Sequence, residues 1–152
     1  MVQNYVVDTS VLIQAYIRDQ DTARARTLLH GMFDPDNPTV IHVLEFSLLE
    51  CANILWKRVQ FHGTPLDAMQ RALNALLATP LTVQPAVTLL PRALALGVSH
   101  NLAVYDALYI ALAESLRYPL ITVDQRQAQA AIAAGANLKQ LSDFPPFQGG
   151  TS

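Results

Sequence analysis

Four acidic residues stand in unusually apolar segments of this sequence, and carboxylates in such surroundings could do chemistry. They are Asp8, Glu50, Asp106 and Asp124. A buried carboxylate without a cationic partner is costly, and the chain has only 10 lysines and arginines, most of them outside these segments. A hard divalent cation such as Mg²⁺ or Mn²⁺ would neutralise the acids, because such ions prefer carboxylate oxygens. An ion held in this way polarises a phosphoryl oxygen and lowers the pKa of a bound water, which makes that water a nucleophile.

Three of these acids also have a purely structural interpretation. Asp8 and Asp124 each follow a β-prone run directly and stand where a helix needs an N-cap. Asp106 lies near the start of a predicted helix, where the helix dipole favours an anion. Their positions alone therefore leave capping and chemistry both open.

Glu50 is harder to explain by structure alone. We place it inside a long helix, on a stripe with Phe46 and Ile54 at i−4 and i+4, which a solvated face would not supply. Asn53, one turn on, is positioned to hold its carboxylate. Glu45, nearer the N-terminus of the same helix, is the expected first-turn dipole residue.

Short β-prone runs alternate with helical periodicities along the chain. The predicted strands cover residues 5–7, 39–43, 81–84, 120–123 and, weakly, 138–141. Helices are predicted at 11–16, 44–61, 101–117 and 125–134, the last capped by Gly135. A further helix follows an N-cap at Asp21, and another is opened by the capping sequence 64–67. The remaining helix ends at Gly97, and Pro91 either kinks it or marks its start. This alternation predicts a parallel sheet in a three-layer α/β/α sandwich. Ligands of such sheets bind at the carboxyl ends of the strands, where Asp8 and Asp124 stand.

Helical spacing predicts which side chains face the core. In the second helix these are Ala25, Leu28, Leu29, Met32 and Phe33, and in the fourth they are Leu66, Met69, Leu73, Leu76 and Leu77. Tyr109 shares a stripe with Leu112 and is expected to pack, whereas Tyr105, beside Asp106, is a candidate for stacking on a nucleic-acid base.

Composition bounds the class of protein. The chain has 152 residues, 51% of them hydrophobic and 14% charged, which fits one domain with its own core. We assign residues 1–144 to that domain and 145–152 to a C-terminal tail that ends in a loose Gly-Gly-Thr-Ser sequence. The net charge of −2 excludes nucleic-acid binding by bulk charge alone. The single cysteine, the lack of a basic leader and the lack of a membrane-length apolar run favour a cytoplasmic protein.

Four blocks of the sequence resemble, in this order, the PIN domain, and in particular the VapC-type ribonuclease toxins of prokaryotic toxin–antitoxin pairs. The blocks are Val6–Ile13, Glu50–Leu55, Tyr105–Ala113 and Leu120–Asp124. The resemblance covers about residues 3–144, and its most specific parts are the Tyr-Asp-Ala-Leu-Tyr block and the Thr-Val-Asp strand end. It implies a three-layer α/β/α fold whose acidic cluster binds Mg²⁺ or Mn²⁺ and cleaves single-stranded RNA.

The resemblance also implies roles for the four acids, all of which fall on acidic positions of the family. Asp8, Asp106 and Asp124 would contact the metal directly or through water. Glu50 would orient or activate the attacking water, and an in-line attack would leave 5′-phosphate and 3′-hydroxyl ends.

Supporting residues and partners follow from the same resemblance. Ser10 and Thr122 fall where hydroxyls support the acidic cluster, and Asn53 stands at the expected place after the glutamate. No second acid closely follows Asp124, which favours one metal over two. Proteins of this type form homodimers and bind a small antitoxin whose tail covers the active site.

Two other functions are compatible with this sequence. One is a receiver-like regulatory domain that binds magnesium and is phosphorylated on an aspartate. Proteins of that class have a pair of acids at the end of the first strand and a lysine near the C-terminal end of the domain. This chain has Val7 before Asp8, and Lys139 is poorly placed. The other is a catalytically silent PIN fold, used as a binding module, whose acids persist as structural metal ligands.

Overall fold

A four-stranded parallel sheet forms the centre of the molecule. The computed structural model describes residues 1–149, and the last three residues of the predicted loose tail lie outside the described residues. The strands are β1 (Gln3–Val7), β2 (Thr39–Leu44), β3 (Thr82–Gln84) and β4 (Leu120–Ile121). Their order is β3-β2-β1-β4, and every neighbouring pair is parallel. The predicted parallel α/β architecture is therefore confirmed.

Seven α-helices flank the sheet, with short 3₁₀ turns between some of them. They are α1 (Thr9–Leu12), α2 (Thr22–His30), α3 (Ser47–His62), α4 (Leu66–Leu77), α5 (Leu90–His100), α6 (Val104–Leu116) and α7 (Gln125–Ala133). Successive strand residues point to opposite faces, so Val7 joins a core with α1–α4 while Val6 joins a second core with α5–α7. These two cores and the sheet between them make the three layers.

Three predicted core residues are instead exposed. Leu66 and Leu77 lie at the two ends of α4, which packs through one narrow stripe that buries Ala72 and Leu76. Phe33 is exposed because α2 ends at His30 and continues as a 3₁₀ turn, which breaks the helical periodicity. Amphipathic spacing thus predicted the middle of each stripe and failed at its ends.

The prediction that Gly97 ends its helix is wrong, because α5 continues to His100. The left-handed C-cap is Asn101, with φ of 51°. Gly97 is needed for a different reason: a Cβ there would lie 2.7 Å from the carbonyl oxygen of Leu102. Pro91 marks the start of α5, one of the two predicted alternatives.

The two glutamates of the third helical segment both lie nearer its start than predicted. Because α3 begins at Ser47, Glu50 lies in its first turn, where the helix dipole favours a carboxylate. Glu45 precedes the helix and accepts a hydrogen bond from the backbone N–H of Ala86.

The C-terminal segment lacks the strand predicted at 138–141 and is hydrogen-bonded to α2. Leu138 forms only an isolated bridge with Leu120, and residues 141–143 form a 3₁₀ turn. Arg24 donates hydrogen bonds to the carbonyl oxygens of Ser142 and Phe144, and the backbone N–H of Phe147 donates to Ala23.

Across residues 1–149, no single helix has both the length and the apolar content needed to cross a membrane. The segments Val87–His100 and Val104–Leu116 reach that threshold only when taken together, and they are bent by 116° relative to each other.

Candidate active site

The carboxyl ends of β1 and β4 bring two of the predicted acids to one edge of the sheet. Asp8 follows β1, and Asp124 comes shortly after β4, its direct neighbour in the sheet. Each is also an N-cap: Asp8 Oδ1 accepts from the backbone N–H of Val11 at 3.2 Å, and Asp124 Oδ1 accepts from that of Gln127 at 3.0 Å. The capping interpretation is therefore confirmed for both acids, and their chemical role stays a prediction.

Asp8 is a buried carboxylate, only 4% exposed, that receives hydroxyl hydrogen bonds on both oxygens. Ser10 Oγ donates to Oδ1 at 2.7 Å, and Thr122 Oγ1 donates to Oδ2 at 2.6 Å. Burial nevertheless raises the pKa of Asp8 to about 6, helped by the charge of Asp124 and opposed by hydrogen bonds from Thr122, Ser10 and Val11. The negative charge of ionised Asp8 is therefore not balanced by a nearby positive charge.

Asp106 and Glu50 share the electrostatic field of this site. The pKa of Asp106 is raised by its partial burial, then by the negative charges of Asp124 and Glu50, while Arg126 lowers it. No lysine, arginine or histidine within residues 1–149 forms a salt bridge with any of the four acids. The four carboxylates thus lie close enough for their like charges to repel one another.

Glu50 is held by hydroxyl groups rather than by the predicted partner, Asn53. Thr9 Oγ1 donates to Glu50 Oε1 at 2.8 Å, and Tyr109 Oη donates to the same oxygen at 3.0 Å. Asn53 is exposed, and within residues 1–149 no hydrogen bond joins it to Glu50. The ring of Tyr109 packs in the core as predicted, but its hydroxyl belongs to the site.

Gln127 is a second residue that sequence reasoning missed. Its side chain is fully buried and links two sides of the site. Nε2 donates to the backbone carbonyl of Asp106 at 2.9 Å, and Oε1 lies 2.8 Å from Thr122 Oγ1. A glutamine on the buried face of an alanine-rich helix was the available signal, because a buried amide needs partners.

The donor chemistry of the site fits a hard divalent cation held by few direct ligands. Within residues 1–149, no three His, Cys, Asp or Glu side chains form a ready-made metal cluster, so the predicted ligand set of Asp8, Asp106 and Asp124 is not assembled for direct contact. Mg²⁺ commonly takes only one or two carboxylates and keeps several waters. The uncompensated charge around Asp8 is of the kind that such an ion neutralises.

A cleft of about 310 Å³ opens beside Asp124, one of the four acids. Its walls come from the loop after β4 and from the C-terminal segment, with Arg24 and Gln140 among the lining residues. The Arg24 guanidinium donates hydrogen bonds to two backbone carbonyls of the C-terminal segment and so holds that segment in place as a wall of the cleft.

A parallel sheet with helices on both faces and acids at its carboxyl edge is the architecture that the PIN resemblance predicts. The family model described as the PIN domain matches residues 5–133, so the chain belongs to the PIN-domain family. This membership decides against the receiver-like alternative.

Among individual proteins, the chain is similar to Ribonuclease VapC3 from Pyrobaculum aerophilum. The two are 29% identical over 126 residues, which is 82% of this chain and 92% of that protein. The crystal structure of PAE2754 from the same organism has a TM-score of 0.72 and 22% identity, covering 94% of each chain. VapBC2 from Rickettsia felis, bound to a DNA fragment from its promoter, has a TM-score of 0.63 and 14% identity, covering 92% of this chain and 98% of that one.

Proposed function

We propose that the protein is a divalent-metal-dependent endoribonuclease that cleaves single-stranded RNA. The observation that carries the proposal is Asp8, a buried carboxylate that forms no salt bridge within residues 1–149 and whose pKa is raised further by Asp124, which in turn acts on Asp106. Membership of the PIN family and similarity to a protein named a ribonuclease support the choice of RNA as substrate.

The four acids divide into metal-holding and water-orienting roles. Asp8, Asp106 and Asp124 would hold Mg²⁺ or Mn²⁺, directly or through water. The ion, when bound, stabilises negative charge on the phosphate and supplies an acidic water. Glu50, fixed by two hydroxyl groups, would accept a hydrogen bond from the attacking water and take its proton. In-line attack would leave 5′-phosphate and 3′-hydroxyl ends.

Ser10 and Thr122 would act on the chemistry through Asp8, to which both donate. Their hydroxyl groups fix both carboxylate oxygens, so that Asp8 presents one orientation to the ion. The predicted support of the acidic cluster by Asn53, which is exposed one turn after Glu50, stays a prediction.

Cleavage of labelled single-stranded RNA tests the proposal. We expect cleavage with Mg²⁺ or Mn²⁺, none with chelator, and none in the double variant Asp8→Asn, Asp124→Asn. Asp67→Asn is the matched control, because Asp67 is an exposed acid of α4 that pairs only with Arg71. Metal-independent cleavage, or full activity of the double variant, would overturn the proposal. A metal-induced rise in Tm without cleavage of any RNA would favour the silent PIN fold.

We also propose that the protein is the cytoplasmic toxin of a toxin–antitoxin pair and acts as a homodimer. The R. felis neighbour, named as a VapBC assembly, supports a small antitoxin partner. An apolar stripe on α5, formed by Leu90, Leu94 and Val98 at intervals of four residues, supports a second copy as the occupant of that face. Co-purification with a short protein encoded next to this chain tests the first claim. Light scattering of Leu94→Glu against wild type tests the second, and a wild-type monomer would contradict it.

A further inference from the structure

Behind Glu50 lies a cluster of buried hydroxyl groups that comes from three separate parts of the chain. The hydroxyl oxygen of Tyr109, on α6, lies 2.8 Å from Thr9 Oγ1 on α1 and 2.7 Å from Ser47 Oγ on α3. It also donates to Glu50 Oε1 at 3.0 Å. The cluster therefore joins both layers of helices at the back of one catalytic candidate.

One arrangement of the available hydrogens gives Glu50 two hydroxyl donors. Ser47 Oγ accepts from the backbone N–H of Leu44 at 3.1 Å, so its own hydrogen is available for Tyr109. Tyr109 and Thr9 then both give their hydrogens to Glu50 Oε1. Two donors occupy the two lone pairs of that oxygen. Neither bond uses Oε2, which is the oxygen left for a water molecule.

Burial makes this arrangement hard to replace by solvent. Tyr109 is 2% exposed and Ser47 is fully buried, so water cannot easily substitute for either hydroxyl. Burial also raises the pKa of Tyr109, which keeps its proton in place for donation. Phe46 packs edge-on against the Tyr109 ring, with centroids 5.7 Å apart, and limits its movement.

We propose that Tyr109, supported by Ser47, is a positioning residue that occupies Glu50 Oε1 together with Thr9 and directs Oε2 toward the attacking water. The claim rests on the proposed ribonuclease function, because it concerns how Glu50 acts in that reaction. Orientation of a general base is worth a large share of its effect, and a hydrogen bond to a charged group commonly contributes on the order of 10-fold.

A double-mutant cycle on RNA cleavage tests this inference, with wild type, Tyr109→Phe, Glu50→Gln and the combined variant. We expect Tyr109→Phe to lower kcat about 10-fold with KM changed less than about twofold, because only the transition state needs the oriented carboxylate. In the Glu50→Gln background the same change should cost less than about twofold. Tyr118→Phe is the matched control, since Tyr118 packs on His42 away from the acids.

Thr9 supplies a second variant if Tyr109→Phe fails to fold. Thr9→Val should lower kcat, and Thr9→Ser should restore it, because serine keeps the hydroxyl that donates to Oε1. An unchanged kcat in Tyr109→Phe, or an equal loss with and without Glu50, would overturn the positioning role while leaving the ribonuclease proposal intact. A wild type that cleaves no RNA would overturn both.

Discussion

The two pairs of acids in the site are held in contrasting ways. Asp8 and Glu50 receive hydrogen bonds from hydroxyl groups that lie far away in the sequence, on other elements. Asp106 and Asp124 also lie in the first turn and at the N-cap of helices, but within residues 1–149 neither carboxylate receives a hydroxyl hydrogen bond, and Asp124 is exposed. Within residues 1–149, Asp124 is held only by the backbone of Gln127, and the Asp106 carboxylate has no hydrogen-bond partner.

This contrast separates a fixed half of the site from an adaptable half. The fixed pair has its orientation set by packing before any ligand binds, which lowers the cost of reaching the reactive geometry. The adaptable pair can follow an ion and its waters as the substrate changes around them. Substitutions in the two halves should therefore differ in how much a higher metal concentration can restore.

The largest effect is expected from Asp8→Asn compared with Asp106→Asn. We expect Asp8→Asn to lower kcat/KM about 1,000-fold or more, roughly 4 kcal/mol of transition-state stabilisation, at every metal concentration. Asp106→Asn should lower activity too, but excess Mn²⁺ should recover part of it, because an ion in the adaptable half of the site can take extra water ligands in place of the lost carboxylate. Initial rates over a Mn²⁺ titration measure both. Equal recovery of the two variants would remove the distinction.

The pH dependence of stability is the next test, and its sign follows from the raised pKa of Asp8. Folding raises this pKa from 3.8 to about 6, so the folded state binds the proton more tightly than the unfolded chain. The resulting stabilisation is complete below about pH 4 and is lost as pH rises through about 6, a total of about 3 kcal/mol. Urea unfolding in chelator should show this loss in wild type relative to Asp8→Asn.

Other titrating groups occur in both proteins, so the difference between them isolates Asp8. Adding Mn²⁺ at about pH 7 should return part of the lost stability to wild type only. Parallel pH curves for wild type and Asp8→Asn would show that Asp8 is not desolvated in solution.

A smaller loss is expected when the buried hydroxyl of Thr122 is removed. Its oxygen contacts Asp8 Oδ2 and Gln127 Oε1 and accepts from the backbone N–H of Asp124 at 3.0 Å. Thr122→Val leaves these groups without a partner and should lower the free energy of unfolding by about 2 kcal/mol, with a marked loss of activity. Thr122→Ser keeps the hydroxyl and should retain both. Wild-type stability in Thr122→Val would contradict the assigned contacts.

The smallest effect should come from Ser10→Ala. Ser10 also donates to Asp8, but it is only partly buried, so water can take the place of its hydroxyl. We expect about 1 kcal/mol or less of destabilisation and a modest fall in kcat. A loss as large as that of Thr122→Val would show that the open side of Asp8 is as rigid as its buried side.

Local sequence signals predicted the parts of the site that depend on neighbouring residues. Asp8 and Asp124 were predictable because each joins a strand end to a helix start within a few positions. The parallel sheet followed from the alternation of elements. Ser10 and Thr122 lie within two residues of these acids, so the family resemblance could locate them.

The hydroxyl cluster could not be predicted in the same way. Thr9 and Tyr109 meet across 100 positions, and each looks locally like a helix-start threonine or a core aromatic residue. A tyrosine in an unbroken apolar helix was the one available hint, because its buried hydroxyl needs a partner. The predicted start of the third helix was wrong for a different reason: Glu45 accepts from the distant backbone of Ala86, Ser47 accepts from the backbone N–H of Leu44, and no N-cap side chain marks the first turn.

The central place of β1 in the sheet has a consequence for how the protein is made. A ribosome delivers β1 and Asp8 first, but β4 and the Thr122 hydroxyl that completes the buried side of Asp8 follow 114 residues later. Contacts of such sequence separation form late in folding. A nascent chain that has not yet reached Thr122 therefore lacks the hydroxyl that completes the buried side of Asp8, and any cutting activity has to wait for β4.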